Sequence, residues 1–248
     1  MLTLPYEAGT ARIVYVLAAL VLAGLAGGLL LGKPNEERTG RLPRALRIGL
    51  SGILVISALI HLVLGAWDHA AELYAALIFL GMLCGFVGDL IMARLVRVPN
   101  RLVCGMAAFG AGHLLYSGAF CFLSLQLTSD GCRYLLLWLV PLGVFVLWAW
   151  NHYIRKPGGS KVINLGSLGY ALVIAVMTSL ALNLSVLATR LAAAGLGAAL
   201  FVISDLVLGN WQVQGHDWPG VNDVIWTTYV LGQLLIVSSV AGAVICLS

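Results

Sequence analysis

Two aspartates, Asp89 and Asp205, stand inside long apolar runs, in Gly85-Phe86-Val87-Gly88-Asp89-Leu90 and Phe201-Val202-Ile203-Ser204-Asp205-Leu206. Two carboxylates in a low-dielectric setting can divide the work of general acid and general base, because mutual repulsion and desolvation make their proton affinities unequal. Such a pair suits hydrolysis through an oxocarbenium ion, the chemistry that glycosidases perform with paired carboxylates. Further polar groups lie in other apolar runs. His113 and Tyr116 are spaced i, i+3, and Tyr229 and Gln233 are spaced i, i+4, so each pair shares one face of a helix. His61, Asn164 and Asn183 are lesser polar insertions, and the six helices carrying these groups are expected to surround one wet pocket. There is no HExxH and the histidines are scattered, so neither a zinc site nor any other metal or cofactor is expected. No GxSxG elbow or P-loop is present. The five cysteines lack CxxC spacing and read as small packing residues.

The elements that must hold these groups follow from composition. Of 248 residues, 61% are hydrophobic and only 10% charged, with a mean hydropathy of +1.00; a soluble domain carries about 25% charged residues. The chain therefore reads as an all-α, polytopic integral membrane protein, a single transmembrane helical domain over residues 1–248. The net charge of +4 comes with no basic arm or helix, which argues against a nucleic-acid partner. Eight stretches reach the roughly 20 apolar residues that a helix needs to cross a bilayer: 11–32, 48–66, 73–93, 102–127, 134–151, 162–184, 191–209 and 224–247. Glu7, rather than a basic segment, precedes the first, which is also too long for a cleaved signal peptide. The tryptophans fall mostly at span ends, as interfacial anchors do.

Basic residues sort by loop. Lys33, Arg38, Arg41, Arg44 and Arg47 lie between spans 1 and 2, Arg94, Arg97 and Arg101 between 3 and 4, and Arg155, Lys156 and Lys161 between 5 and 6. The other side holds only Arg12, Arg133 and Arg190. The positive-inside rule then places the odd-numbered loops in the cytoplasm and both termini outside it. With that orientation Asp89 and Asp205 share a depth, each about 6 Å of helical rise from the cytoplasmic end of its span. An ionisable group within the hydrocarbon costs about 2.5–3.5 kcal/mol on insertion scales and is a functional candidate by default. The bland alternatives are helix-end aspartates reaching the interface or pairing with Arg94, and a neutral His113 bonded across helices. A 4 + 4 internal repeat is also legible: Gly88-Asp89-Leu90 matches Ser204-Asp205-Leu206, and His113 and Tyr229 each follow their aspartate by 24 residues.

At these positions the sequence resembles the YhhN family of membrane proteins, which includes lysoplasmalogenase. The resemblance rests on Gly88-Asp89, Gly112-His113-x-x-Tyr116, Ser204-Asp205 and Tyr229-x-x-x-Gln233-x-Leu235-Ile236, in order from about span 2 onward. Span 1 and the 33–47 loop carry none of it. What the resemblance implies is hydrolysis of the vinyl ether bond of lysoplasmalogens, with Asp89 and Asp205 as acid and base in an order left open. His113, Tyr116, Ser204, Tyr229 and Gln233 would orient water or substrate, and Arg94, Arg97 and Arg101 would meet the phosphate. The implied partners are a lysophospholipid substrate and membrane lipids, in a bacterial inner membrane or one of endoplasmic-reticulum type; oligomeric state stays open. Two other classes fit the same residues: a proton-coupled transporter, and a lipid-binding membrane protein without catalysis. An intramembrane aspartyl protease does not, since Asp89 lacks GxGD spacing and no Tyr-Asp partner motif occurs.

Overall fold

Short connections rich in proline and glycine cut the apolar chain into spans. In the computed structural model, which describes residues 4–248, Pro43 precedes α2 and the Asn100 side chain caps α4 by accepting from the Val103 N–H at 3.1 Å. The Ser160 side chain caps α6 in the same way. Gly215 and Gly220, at φ 79° and 84°, take the left-handed turns that bound the segment before α8. The helices are α1 (Ala8–Leu31), α2 (Arg44–Ile60), α3 (Glu72–Met92), α4 (Arg101–Leu127), α5 (Leu135–Ala149), α6 (Lys161–Leu187), α7 (Ala192–Gly209) and α8 (Val221–Leu247). All eight spans are long and apolar enough to cross a bilayer, and no strand occurs among the described residues.

Three spans run on as π turns: α2 through His61–Ala66, α5 through Trp150–Ile154 and α7 through Asn210–Gln214. The last lengthens span 7 beyond the expected end at 209, because Asn210, Gln212 and Gln214 read as loop residues. Their amides instead tie α7 to the end of α5: Asn210 Nδ2 donates to the Tyr153 carbonyl at 2.7 Å and Gln214 Nε2 to the Arg155 carbonyl at 2.5 Å. Asp205 thus stands further from the end of its helix than Asp89 does from its own.

The tightest packing joins α3 to α4 and α7 to α8. Both seams are built on glycine. A Cβ on Gly112 of α4 would stand 2.9 Å from the Gly81 carbonyl of α3, and one on Gly232 of α8 would stand 2.9 Å from the Gly197 carbonyl of α7. In lipid, helices gain little by hiding apolar surface from one another, so close backbone approach and van der Waals contact supply the association. α8 is the most buried helix and α5 among the least, its Leu136, Leu137, Val140 and Val144 facing outward.

The lesser polar residues of the apolar runs hold loops and helices rather than a site. Asn183 donates to the Gly131 carbonyl and accepts from the Tyr134 N–H, pinning the α4–α5 connection, while Asn164 brackets Lys156. His61 is buried at the opposite end of the bundle from the aspartates, bonded through Nδ1 to the Tyr6 hydroxyl at 2.7 Å.

Candidate active site

The first wall of the site is the glycine face of α3. Gly81, Gly85 and Gly88 recur at helical spacing, and each leaves room for a ring or amide from a neighbouring helix: Tyr116 lies against Gly81, Gln233 and the Tyr229 hydroxyl against Gly85, and Phe109 against Gly88. Asp89 follows directly, 4% exposed. Its Oδ2 accepts from the Ser51 hydroxyl of α2 at 2.5 Å and from the Tyr229 hydroxyl of α8 at 2.7 Å. Tyr229 is itself wedged edge-on among Phe109, Phe201 and Trp226.

Asp205 is held by a matching pair. Its Oδ2 accepts from the Tyr170 hydroxyl of α6 at 2.5 Å, and His113 Nε2 of α4 lies 3.5 Å away. His113 and Tyr170 are bonded to each other at 2.9 Å, and the His113 ring rests edge-on against Phe201. Each aspartate therefore takes a hydroxyl from the helix that precedes its own and has a second polar group from a more distant helix, Tyr229 of α8 for Asp89 and His113 of α4 for Asp205. The buried Asp89 and the partly buried Asp205, each with its Oδ2 supplied by a hydroxyl donor, are satisfied as polar groups shielded from water must be.

Both aspartates open into one polar cavity of about 280 Å³ at the end of the bundle that carries the basic loops. Arg44, Arg47 and Arg101 line it together with Asn222, Trp226 and Tyr229. Arg47 is poised rather than spent: one amino group donates to Asn222 Oδ1 at 3.0 Å and the guanidinium stacks over Trp226 at 5.2 Å, but the buried Nε has no hydrogen-bond partner. The connection between α1 and α2 roofs the cavity. Its Asn35 and Thr39 reach the lining, and it is stitched to the start of α8 by Asn222 N–H to the Thr39 carbonyl at 2.8 Å and Arg41 N–H to Asp223 Oδ1 at 2.7 Å. An apolar slot adjoins the cavity, and Asp205, Met92, Phe109, Leu208 and Gln212 border both.

The structure thus brings together Asp89, Asp205, Ser204, Tyr229 and Arg101 of the residues singled out by sequence, with His113 directly behind Asp205. Tyr116 and Gln233 are bonded to each other at 2.7 Å, deeper than the cavity and against the α3 glycine face, and do not line it. Ser204 spends its hydroxyl on the Ile225 carbonyl at 3.0 Å, joining α7 to α8. Arg94 and Arg97 lie in the turn after α3, which reverses at Arg94 with φ 62°, and are not among the lining residues. α6 does not line the polar cavity, through Asn164, Asn183 or any other residue; its Tyr170 lines the apolar slot and reaches the site by its bond to Asp205. Sequence reasoning passed over Ser51, Tyr170, Arg44 and Arg47. A polar side chain one helix upstream of each aspartate was the available signal for the first two, and Arg44 and Arg47 had been absorbed into the topology count.

Among the described residues no cluster of metal-ligating side chains occurs, and the cavity offers hydroxyls, carboxylates and guanidinium groups. Groups of these kinds can move a proton and pair with an anion.

Comparison with known proteins places the chain among relatives. Lysoplasmalogenase TMEM86B of Homo sapiens is 36% identical over 166 residues, covering 67% of this chain and 64% of the relative. Lysoplasmalogenase TMEM86B of Sus scrofa is 34% identical over 168 residues, covering 68% and 65%. The matched region spans a little under two thirds of the length of these relatives. No solved structure matches the chain. The YhhN family profile matches residues 50–240, a stretch that begins one residue before Ser51 and runs past Gln233. With that match covering every side chain bonded to either aspartate, the chain belongs to the YhhN family and is an integral, multi-pass membrane protein.

Proposed function

We propose that the protein is a membrane-embedded hydrolase that cleaves the vinyl ether bond of lysoplasmalogens, releasing a fatty aldehyde and a glycerophospho head group. The observation that carries this reading is the placement of two carboxylates, Asp89 buried and Asp205 partly buried, in one cavity beside three arginines and next to an apolar slot. The relatives named lysoplasmalogenase support it.

The reaction needs a proton on carbon, a stabilised cation and a water. Asp205 borders the apolar side of the cavity, so it meets the first two carbons of a hydrocarbon chain and donates its proton to the second, the β-carbon of the enol ether. The α-carbon then bears the positive charge, shared with the ether oxygen as an oxocarbenium ion. Asp89, ionised and fixed by Ser51 and Tyr229, stabilises that cation and takes a proton from the water that adds to the α-carbon. The hemiacetal so formed breaks its bond to the glycerol oxygen, giving aldehyde and alcohol. His113 and Tyr170 orient the Asp205 carboxyl, and Arg47, with Arg44 and Arg101 at the rim, pairs with the phosphate. The like pattern of partners around the two aspartates, and the Gly81–Asp89 and Gly197–Asp205 spacings of eight residues, support a 4 + 4 repeat with the site at the junction of the halves. The orientation that puts the basic loops and the cavity mouth in the cytoplasm, with both termini outside, rests on the charge asymmetry of the loops.

Purified protein given a lysoplasmalogen should release aldehyde, and given the saturated ether analogue should not. Substrate flux into liposomes without any new product would instead favour the transporter reading. Arg47→Gln should raise KM by about 10–100-fold, the value of a hydrogen-bonded charge, with kcat little changed, as loss of uniform binding requires. A fall in kcat with constant KM would remove Arg47 from the phosphate site.

A further inference from the structure

The slot beside the polar cavity runs along the helices rather than across them. Its walls come from residues 102–109 of α4, 145–154 of α5 and its π turn, 167–174 of α6 and 202–213 of α7. On α7 that stretch amounts to about 16 Å of helical rise, with Asp205 about 5 Å from its deep end and the remainder running toward the basic loops. The wall is apolar even where its residues are not. Trp150 Nε1 donates to the Ser167 hydroxyl at 3.0 Å, and Ser167 donates onward to the Asn164 carbonyl at 3.0 Å, so neither polar group is left to seek water in the slot. Asp205 is the one carboxylate that borders it.

The slot is narrow, about 70 Å³ against 280 Å³ for the polar cavity, and one of its walls is weakly held. The body of α5 packs closely on α6, its terminal π turn meets α7, and no comparable seam joins it to α4 among the described residues. Pro141 interrupts the hydrogen-bond ladder of α5 about one turn before the slot. The side of the slot between α4 and α5 is therefore the side on which the bundle can part, and it faces lipid, since Leu147 and Trp148 on α5 are exposed.

Resting on the hydrolase reading above, we propose that this slot is the binding site for the single hydrocarbon chain of the substrate, which passes sideways from the leaflet between α4 and α5. The head group turns into the polar cavity, the bond to be cleaved stops at Asp205, and the chain passes from there through the slot toward the lipid. A lipid with one chain fits this path. A second chain on the neighbouring glycerol carbon would have to enter the polar cavity, where Arg47, Asp89 and Tyr229 would lose water without gaining partners. The slot thus selects lysolipids over two-chain lipids and reads chain length.

Ala171 of α6 and Ala149 of α5 face the slot and are nearly buried; a larger side chain at either fills it without touching the carboxylates. Ala171→Phe should lower kcat/KM for a sixteen-carbon lysoplasmalogen by about tenfold or more and leave that for an eight-carbon one nearly unchanged. Ala149→Leu repeats the test from the opposite wall should Ala171→Phe fail to fold, and Val144→Phe, on the lipid-facing side of α5, should alter neither substrate. Equal loss for both chain lengths, or none for either, in correctly folded variants would overturn the proposal. If the wild-type protein releases no aldehyde at all, the hydrolase reading fails, and the slot is judged by binding alone. Native mass spectrometry should then find a hexadecyl ether lysophospholipid bound to the wild-type protein and much reduced in Ala171→Phe; equal binding would overturn the slot as a chain site.

Discussion

Asp89→Asn and Asp205→Asn are each expected to abolish most aldehyde release, by about 10²–10⁴-fold for loss of one positioned proton-transfer group, while leaving the protein folded and extractable. Asparagine keeps the size of the side chain, and its amide oxygen can still accept from Ser51 and Tyr229 at position 89, or from Tyr170 at position 205. What it loses is the ability to donate or take the proton and to carry negative charge beside the cation. The two variants should differ in kind. Asp205→Asn removes the proton donor and should be nearly silent on every substrate. Asp89→Asn leaves the donor in place, so a trace of slow turnover, in which water adds without a base, is the expected remainder. Steady-state aldehyde release, with folding checked by helical circular dichroism, decides; near-normal turnover in both variants would remove the dyad.

The second large effect concerns stability. Gly197→Ala in α7 would set its Cβ 2.6 Å from the Gly232 carbonyl of α8, and Gly112→Ala in α4 would set its Cβ 2.9 Å from the Gly81 carbonyl of α3. These neighbours are backbone atoms in the middle of helices and cannot swing aside, so each pair must separate along its length. Overpacking of this kind costs about 1–3 kcal/mol, and both seams carry the site: the first holds Asp205 against α8, the second holds Asp89 and His113 in register. A fall in thermal midpoint in detergent, together with a fall in activity, is expected for both. Gly27→Ala in α1, where a Cβ would meet nothing within 4 Å, should change neither.

These two expectations show which parts of the molecule could be read beforehand. The eight spans, the all-helical fold and the two aspartates were legible because charge is scarce: with 24 charged residues in 248, a carboxylate inside an apolar run stands out. Ser51 and Tyr170 did not stand out. Serine and tyrosine are common in membrane helices, and only the three-dimensional meeting of α2 with α3 and of α6 with α7 gives their hydroxyls a carboxylate to serve. Arg44 and Arg47 were visible but explained twice over, since a basic residue at a helix end satisfies a topology rule before it suggests a phosphate. Arg94 and Arg97 were chosen for nearness in sequence to Asp89, yet the chain turns back after Met92, and it is the start of α2 and of α4 that supplies arginines to the cavity. Tyr116 and Gln233 were found by helical spacing and do pair, but with each other, as a strut beneath the site.

The glycines teach a similar lesson. Their number suggested close helix packing in general; their positions become meaningful only when Gly81, Gly85 and Gly88 are seen to receive Tyr116, the Tyr229–Gln233 pair and Phe109 on one face. The π turn at Asn210–Gln214 was hidden for the opposite reason. Three polar residues in five ordinarily mark a loop, and here the amides of Asn210 and Gln214 are spent on the Tyr153 and Arg155 carbonyls at the end of span 5.

The central claim is that a proton reaches carbon, not oxygen, at Asp205. Hydrolysis of a lysoplasmalogen by the purified protein in D₂O, with the aldehyde trapped as formed and weighed by mass spectrometry, tests it directly. Proton donation to the β-carbon should leave one solvent deuterium on the carbon next to the aldehyde, and Asp205→Asn should eliminate that product. Aldehyde without the added deuterium, or no aldehyde from the wild-type protein, would contradict it.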